Sequence, residues 1–275
     1  MKQNNYLFVV IVISIIVGLT LYSCIDEKKI HLEKKQLKDL KVHKTESGLI
    51  YARGLFEKNI IELGELSGIA VSKKNREIFW THNDGNSRGI IYALDKEGNI
   101  KDTIQISYMR DIEDIAVGTY NEKEYIFVGD VGDNDKIRSE YQISMIEEPV
   151  IRSGKMPKET VYKFIYSDDK SHDCESLAYN QYISGGSIYL ITKEKKPEVF
   201  KLELSSLKSS KLNVAQKIGK LKIEDFKKPS AADISRDGLT LVVRNEEQIF
   251  ILKTKTPNKF DSILEEDPIS VNCPP

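Results

Sequence analysis

The chain has 275 residues with 41 basic and 42 acidic side chains, and its formal net charge of -1 offers no electrostatic case for binding DNA or RNA. At 40% hydrophobic and 30% charged residues it is not a chain disordered throughout, and its length suits one large domain or two small ones.

The first element is a leader. Lys2 precedes the apolar run YLFVVIVISIIVGLTL, and Tyr22-Ser23-Cys24 follows it. A basic start, an apolar stretch and a cysteine at the cleavage position have the anatomy of a lipoprotein signal over residues 1–23, with Cys24 lipidated as the mature N-terminus. The alternative is an uncleaved anchor, because the run approaches the lower length limit for crossing a bilayer. Both readings tie an extracytoplasmic body to a membrane. Residues 24–48 carry many charges and no long apolar run, which predicts a solvated tether.

From about Tyr51 the text becomes short apolar runs punctuated by Gly, Asn, Asp and Lys, the pattern of strands and turns. SGIAVS, EIFWTHND, RGIIYALD and KDTIQIS make one four-strand unit. The same order returns as EDIAVG, EYIFVGD, YQISMIEE, TVYKFIY, then as ESLAY, GSIYLITKE, EVFKLEL, NVAQKIG, and again as SAADIS, LTLVVRNEE, QIFILKT, FDSILEE. Ser67, Glu113, Glu175 and Ser230 form one column of this repeat, at spacings of roughly 45 to 60 residues that suit propeller blades with loop insertions. The expected fold is all-β: a β-propeller of four-stranded antiparallel blades over residues 49–275, with four blades visible. A β-sandwich is the alternative, but it predicts no repeated four-strand grammar. Four blades make a tight ring, so either the ring is open or a strand from residues 49–62 completes a sheet; helices between the strands are not expected. Trp80, the only tryptophan, is expected between blades. Cys174 and Cys273 lack metal-ligand spacing and read as isolated thiols, with a disulfide as the alternative.

In a propeller, equivalent residues of successive blades converge at one mouth of the channel. Glu65, Asp111, Glu113, Asp173 and Glu175 open the first strands; Asp84, Asp130, Lys193 and Arg244 close the second. Carboxylates gathered so closely repel one another unless a counter-charge compensates. A hard cation such as Ca²⁺ is one compensation, with Glu113, Asp130, Asp133 and Glu175 as candidate ligands and the glycines of GDVGDN turning carbonyls inward. Internal pairing with Arg88, Arg138, Lys193 and Arg244 is the other. The candidate ligand-binding set is therefore Glu65, Asp84, Asp111, Glu113, Asp173, Glu175, Arg138, Lys193 and Arg244. His82, Lys193 and Arg244 are the candidate catalytic groups, although a lone His at a strand end equally reads as a hydrogen-bonded structural residue. No nucleophile elbow, phosphate-cradling glycine loop or H-E-x-x-H motif is present. The leading function is binding of a small-molecule or protein ligand at the acidic mouth, with Ca²⁺ as candidate cofactor. The alternative is metal-assisted hydrolysis of a phosphate ester.

The strings SGIAVS, WTHNDGN, DIEDIAVG, GDVGDN followed by Arg138, then MIEEP, DCESLAY and AADISRDG resemble a family of secreted or lipid-anchored β-propellers common in Bacteroidetes. The resemblance runs over residues 65–245 and is more loosely similar to phytase-like propellers, which is what makes the hydrolase alternative concrete. It implies a further blade, opened by an acidic Gly-Glu-Ala-type motif after the point where this sequence stops; that blade is expected to be missing, shortened, or supplied by residues 45–62. Asp26-Glu27 after Cys24 resembles a sorting signal for surface-exposed lipoproteins, which implies an outer-membrane location. Cys24→Ser should leave an unlipidated precursor with an intact folded domain, read by mass spectrometry; a mature N-terminus elsewhere contradicts the signal.

Overall fold

The computed structural model describes residues 42–44, 50–52, 63, 66–84 and 89–272. The candidates Cys24, Glu65, Arg88 and Cys273 lie outside the described residues. Val42–Lys44 (β1) and Ile50–Ala52 (β2) pair as a two-stranded antiparallel ribbon of their own, so the described part of the 49–62 segment completes no other sheet.

Four antiparallel four-stranded units follow in chain order. The first comprises Leu66–Val71 (β3), Ile78–Asn83 (β4), Ile90–Asp95 (β5) and Ile100–Gln105 (β6). The second comprises Ile112–Tyr120 (β7), Lys123–Asp130 (β8), Tyr141–Glu147 (β9) and Glu159–Tyr166 (β10). The third comprises Cys174–Asn180 (β11), Ser187–Thr192 (β12), Val199–Glu203 (β13) and Asn213–Gly219 (β14). The fourth comprises Ala231–Ile234 (β15), Thr240–Arg244 (β16), Gln248–Lys253 (β17) and Ile269–Asn272 (β18). The inner strands pack in the row β3, β7, β11, β15. The outer strands β10 and β14 also pair in parallel over three residues, which joins the second and third units into one eight-stranded sheet.

Fifteen of the sixteen expected strands appear where the punctuation puts them, and the last does not. FDSILEE lies in a 3-10 segment, Pro257–Glu265, and the fourth strand of that unit comes after it. The segment still serves the core, because Phe260, Ile263 and Leu264 are buried against the third unit. A second 3-10 turn, Leu204–Ser206, separates β13 from β14, so short helical turns do interrupt the strands.

Three apolar cores fill the spaces between consecutive units. Ile78, Trp80 and Ile91 of the first meet Ile115, Ile126 and Val128 of the second. Phe127 and Ile143 meet Leu177, Leu190 and Phe200 of the third. Tyr189 and Ile191 meet Val243, Phe250 and Leu252 of the fourth. Successive strand residues point to opposite faces, so Ile126 and Val128 pack on one neighbour while Phe127 packs on the other. That is why the middle strands read as continuous apolar runs rather than alternating ones. Cys174 is a free thiol buried in the second of these cores.

Two buried carboxylates tie the units together. Glu148, from the MIEEP string, is fully buried and accepts hydrogen bonds from Trp80 Nε1 at 2.8 Å, the amide of Lys74 at 3.1 Å and the Ser72 hydroxyl, which fastens the second unit to the first. Asp114, from β7, accepts the amide of Leu177 on β11 at 2.8 Å and that of Ile115 at 2.9 Å, while the amide of Ala232 on β15 also donates toward it. On the β3 side a Cβ at Gly68 would lie 2.7 Å from Asp114 Oδ1, so only glycine lets that strand close on the carboxylate. Glu148→Ala should cost about 3 kcal/mol or more, because it strands buried donors, including the Trp80 indole, without an acceptor. Urea unfolding reads this; a loss under about 1 kcal/mol would show that the tie contributes little.

Candidate functional site

Above Asp114 the inner strands enclose a cavity of about 930 Å³, lined by Ser67, Glu113, Glu175, Asp233 and residues of all four units. Its acidic wall arises from a repeated irregularity. Strand pairing slips between Leu66 and Ile69, between Ile112 and Asp114, and between Cys174 and Ser176. The residues left over at these bulges include Ser67, Glu113 and Glu175. A bulge places one residue outside the regular alternation and re-aims its side chain. Here it turns Glu113 and Glu175 into the cavity, and the Ser67 hydroxyl donates to the Glu113 carbonyl at 2.9 Å. The fourth unit differs: β15 pairs with β16 in unbroken register, and Ser230, the expected fourth member of the column, precedes the strand.

Two carboxylate triads meet at Glu113. Asp84, Asp111 and Glu113 form one, and Glu113, Asp173 and Glu175 the other; within each, ligand oxygens lie within 4.8 Å of one another. Glu113 is only 5% exposed, and no described residue donates a hydrogen bond to its carboxylate. Burial, and then the charges of Glu175 and Asp84, push it up to about 10. Burial likewise raises Glu175 to about 7, although the ion pair with Lys193 pulls against it. Asp111 is raised by burial and by Asp84. Gly132 lies directly beneath Glu113 Oε1 and Asp111 Oδ2, where any Cβ would displace both oxygens. The glycine supplies clearance here and not the inward carbonyl expected of it, since the Gly132 oxygen accepts Arg138 Nη1 at 2.8 Å.

Asp130 and Asp133 are drawn into a different network. Arg138 Nη1 donates to Asp130 Oδ1 at 2.8 Å, and Gln142 Nε2 and the amides of Arg110 and Asp111 complete its shell. Asp133 accepts the amides of Ile137 and Arg138 and the Tyr141 hydroxyl, fixing the turn that presents Arg138. Its own amide donates to Asp173 Oδ1 at 2.9 Å, which holds that acid in place from behind. Internal pairing and a cluster of crowded acids only partly offset by Lys193 and Arg138 therefore both exist, side by side. Arg138 stacks over Tyr141 and pairs with Asp130, and its charge also pulls the Asp111 carboxyl down against the burial that raises it.

His82 is fully buried, and burial lowers it to about 4. Its Nε2 accepts the Gly68 amide at 3.1 Å and Nδ1 faces the Asn83 carbonyl at 3.0 Å, so both nitrogens brace the first bulge. Lys193 and Arg244 do line the cavity, together with Lys227 and Lys228 of the β14–β15 loop, which the sequence reading did not single out. Asp233, also missed, opens onto the cavity yet is enclosed enough by protein that burial raises it to about 6. Its signal was the Ala-Asp-Ile string, which echoes Glu-Asp-Ile of β7. A third acidic group, Asp168, His172 and Glu198, lies elsewhere; there His172 faces Asp168 and Glu194, while Lys217 pairs with Asp168 and Glu198.

Four-stranded antiparallel units packed face to face about a polar cavity define a β-propeller with an acidic cup at one mouth. The chain belongs to the SdiA-regulated family, whose model matches residues 49–265. Among solved structures it is similar to the β-propeller domain of Cps50 (Swd1) from Myceliophteria thermophila, at 12% identity over 80% of this chain and 64% of that one, with a TM-score of 0.40. It is also similar to a protein of unknown function from Bacteroides caccae, at 9% identity over 79% of this chain and 64% of that one, with a TM-score of 0.43. The chain thus spans 64% of the length of each of these two structures. A comparison with curated proteins gives no match.

The cup sets a pH signature for the cation-free protein. Glu113 is raised in the fold from an ordinary value of 4.5 to about 10, so its contribution is whole below pH 4.5 and is lost progressively as pH rises toward 10. In chelator, Glu113→Gln should therefore melt higher than the parent at pH 8 and within a degree or so of it at pH 4. Equal melting at both pH values would mean that Glu113 ionises freely.

Proposed function

We propose that this protein is a binding propeller whose acidic cup holds a divalent cation of the Ca²⁺ type and, with it, a small ligand. The observation that carries the reading is Glu113: a residue only 5% exposed that lines the cavity, accepts no hydrogen bond from the described residues, and is shared by two triads. A buried carboxylate without a partner is costly unless it stays protonated or meets a positive charge. The donor set of Asp84, Asp111, Glu113, Asp173 and Glu175 is all oxygen, which suits a hard cation and offers no nitrogen or sulfur to a softer one. In this reading Asp130 and Asp133 support the site from outside, and a cation bound there would supply a positive centre for an anionic ligand group.

A second reading, hydrolysis of a phosphate ester, is favoured by the cations that line the same cup, Lys193, Lys227, Lys228 and Arg244, among its acids. These residues would bind and orient the phosphoryl oxygens. The lipid anchor at Cys24 would hold the cup outside the cytoplasm, at the outer membrane; the support for this is the leader sequence alone.

Ca²⁺ should raise the melting temperature of the parent protein, chelator should reverse the rise, and Glu113→Gln should abolish it, because a ligand that binds only the native state stabilises it by mass action. A parent protein whose melting ignores both Ca²⁺ and chelator would overturn the cation reading. A screen of phosphate monoesters with and without Ca²⁺ separates the two functions: turnover supports the hydrolase, and binding without turnover supports the binding protein.

A further inference from the structure

Lys193 follows directly after β12, and its position is set by the backbone: its amide donates to the Asp173 carbonyl at 2.7 Å. Its Nζ forms an ion pair with Glu175 Oε1, and the Lys193 side chain is 30% exposed against 14% for Glu175. Glu175 and Asp173 both belong to the second carboxylate triad, whose remaining member, Glu113, accepts no hydrogen bond from a described residue. The ammonium thus sits on one of the carboxylates that a cation in the triad would use. Lys193 also lines the cup alongside Lys227 and Lys228, neither of which forms an ion pair with a described residue.

We propose that Lys193 is a displaceable counter-ion: a divalent cation entering the Glu113, Asp173, Glu175 triad drives its ammonium off Glu175 and turns it, with Lys227 and Lys228, toward an anionic ligand. The cup is then cation-gated, receptive to an anion only once the cation is in place. The proposal rests on the cation reading above and adds the class of ligand and the order of its binding. The electrostatics run one way. Without a cation, Lys193 neutralises Glu175 and has no charge to offer elsewhere. With one, the carboxylates are compensated by the metal, and the freed ammonium on its flexible stem finds its best partner in an added anion. Because each ligand favours the state that the other binds, the coupling is reciprocal.

Calorimetric titration of the full folded domain with Ca²⁺, and separately with inorganic phosphate, tests this. Lys193→Met removes the competing charge while keeping most of the side chain, and should bind Ca²⁺ about tenfold tighter than the parent, the size of one charge-assisted hydrogen bond. Phosphate should bind the Ca²⁺-loaded parent at least about tenfold more tightly than the metal-free parent, and the Ca²⁺-loaded Lys193→Met variant should lose most of that gain. A second variant, Glu175→Gln, releases Lys193 without a cation, and should bind phosphate in the presence of chelator. Equal Ca²⁺ affinity in parent and Lys193→Met overturns the counter-ion proposal and leaves the cation reading standing. Phosphate affinity that ignores Ca²⁺ overturns the gating. No Ca²⁺ binding by either protein overturns the cation reading beneath both.

Discussion

The architecture turns on one carboxylate at the centre of the inner strands. Asp114 leaves β7, accepts an amide from β11, draws one from β15, and is approached so closely by β3 that only a glycine fits opposite it. Burial pushes its carboxyl to about 8, a cost met by the amides that converge on it. Four strands meet at this one side chain, which lines the cavity. The channel becomes a cup with Asp114 as its floor, and what stands above the floor decides what the cup can hold.

What stands above is set by bulges. In a regular strand Glu113 and Glu175 would follow the alternation of their neighbours and point into the cores between units. One extra residue in each of the first three inner strands breaks that alternation and aims both acids inward. His82 then secures the first bulge, Asp133 backs Asp173, and Gly132 leaves room for Glu113 and Asp111. These supports are rigid and mostly backbone-mediated. The acids are thus held close together, with Lys193 offsetting Glu175 and Arg138 pulling on Asp111.

Much of this was legible in the sequence. The repeated strand order gave the four units, because turn residues and two-faced apolar runs are local signals. Gathering acids at one mouth followed from placing equivalent residues of successive units in one column, and Asp84, Asp111, Glu113, Asp173 and Glu175 do converge. What was not legible depends on contacts distant in sequence. Asp130 and Asp133 look like ligands in GDVGDN, but Arg138 and Tyr141 claim them, and nothing in the string fixes that choice. FDSILEE has strand-like composition, yet it folds as a 3-10 segment because its Phe260, Ile263 and Leu264 fill the core against the third unit. The cup's basic residues were half visible, through Lys193 and Arg244. Lys227 and Lys228 sit in a loop with no repeat partner to betray them.

If the bulged carboxylates gather on one cation above Asp114, crystals grown with Tb³⁺, a hard oxygen-seeking ion with a strong anomalous signal, locate it directly: one dominant anomalous peak is expected about 2.3–2.6 Å from oxygens of Glu113 and its triad partners. A map with no peak in the cup, or with its strongest peak at Asp168, His172 and Glu198, would contradict it.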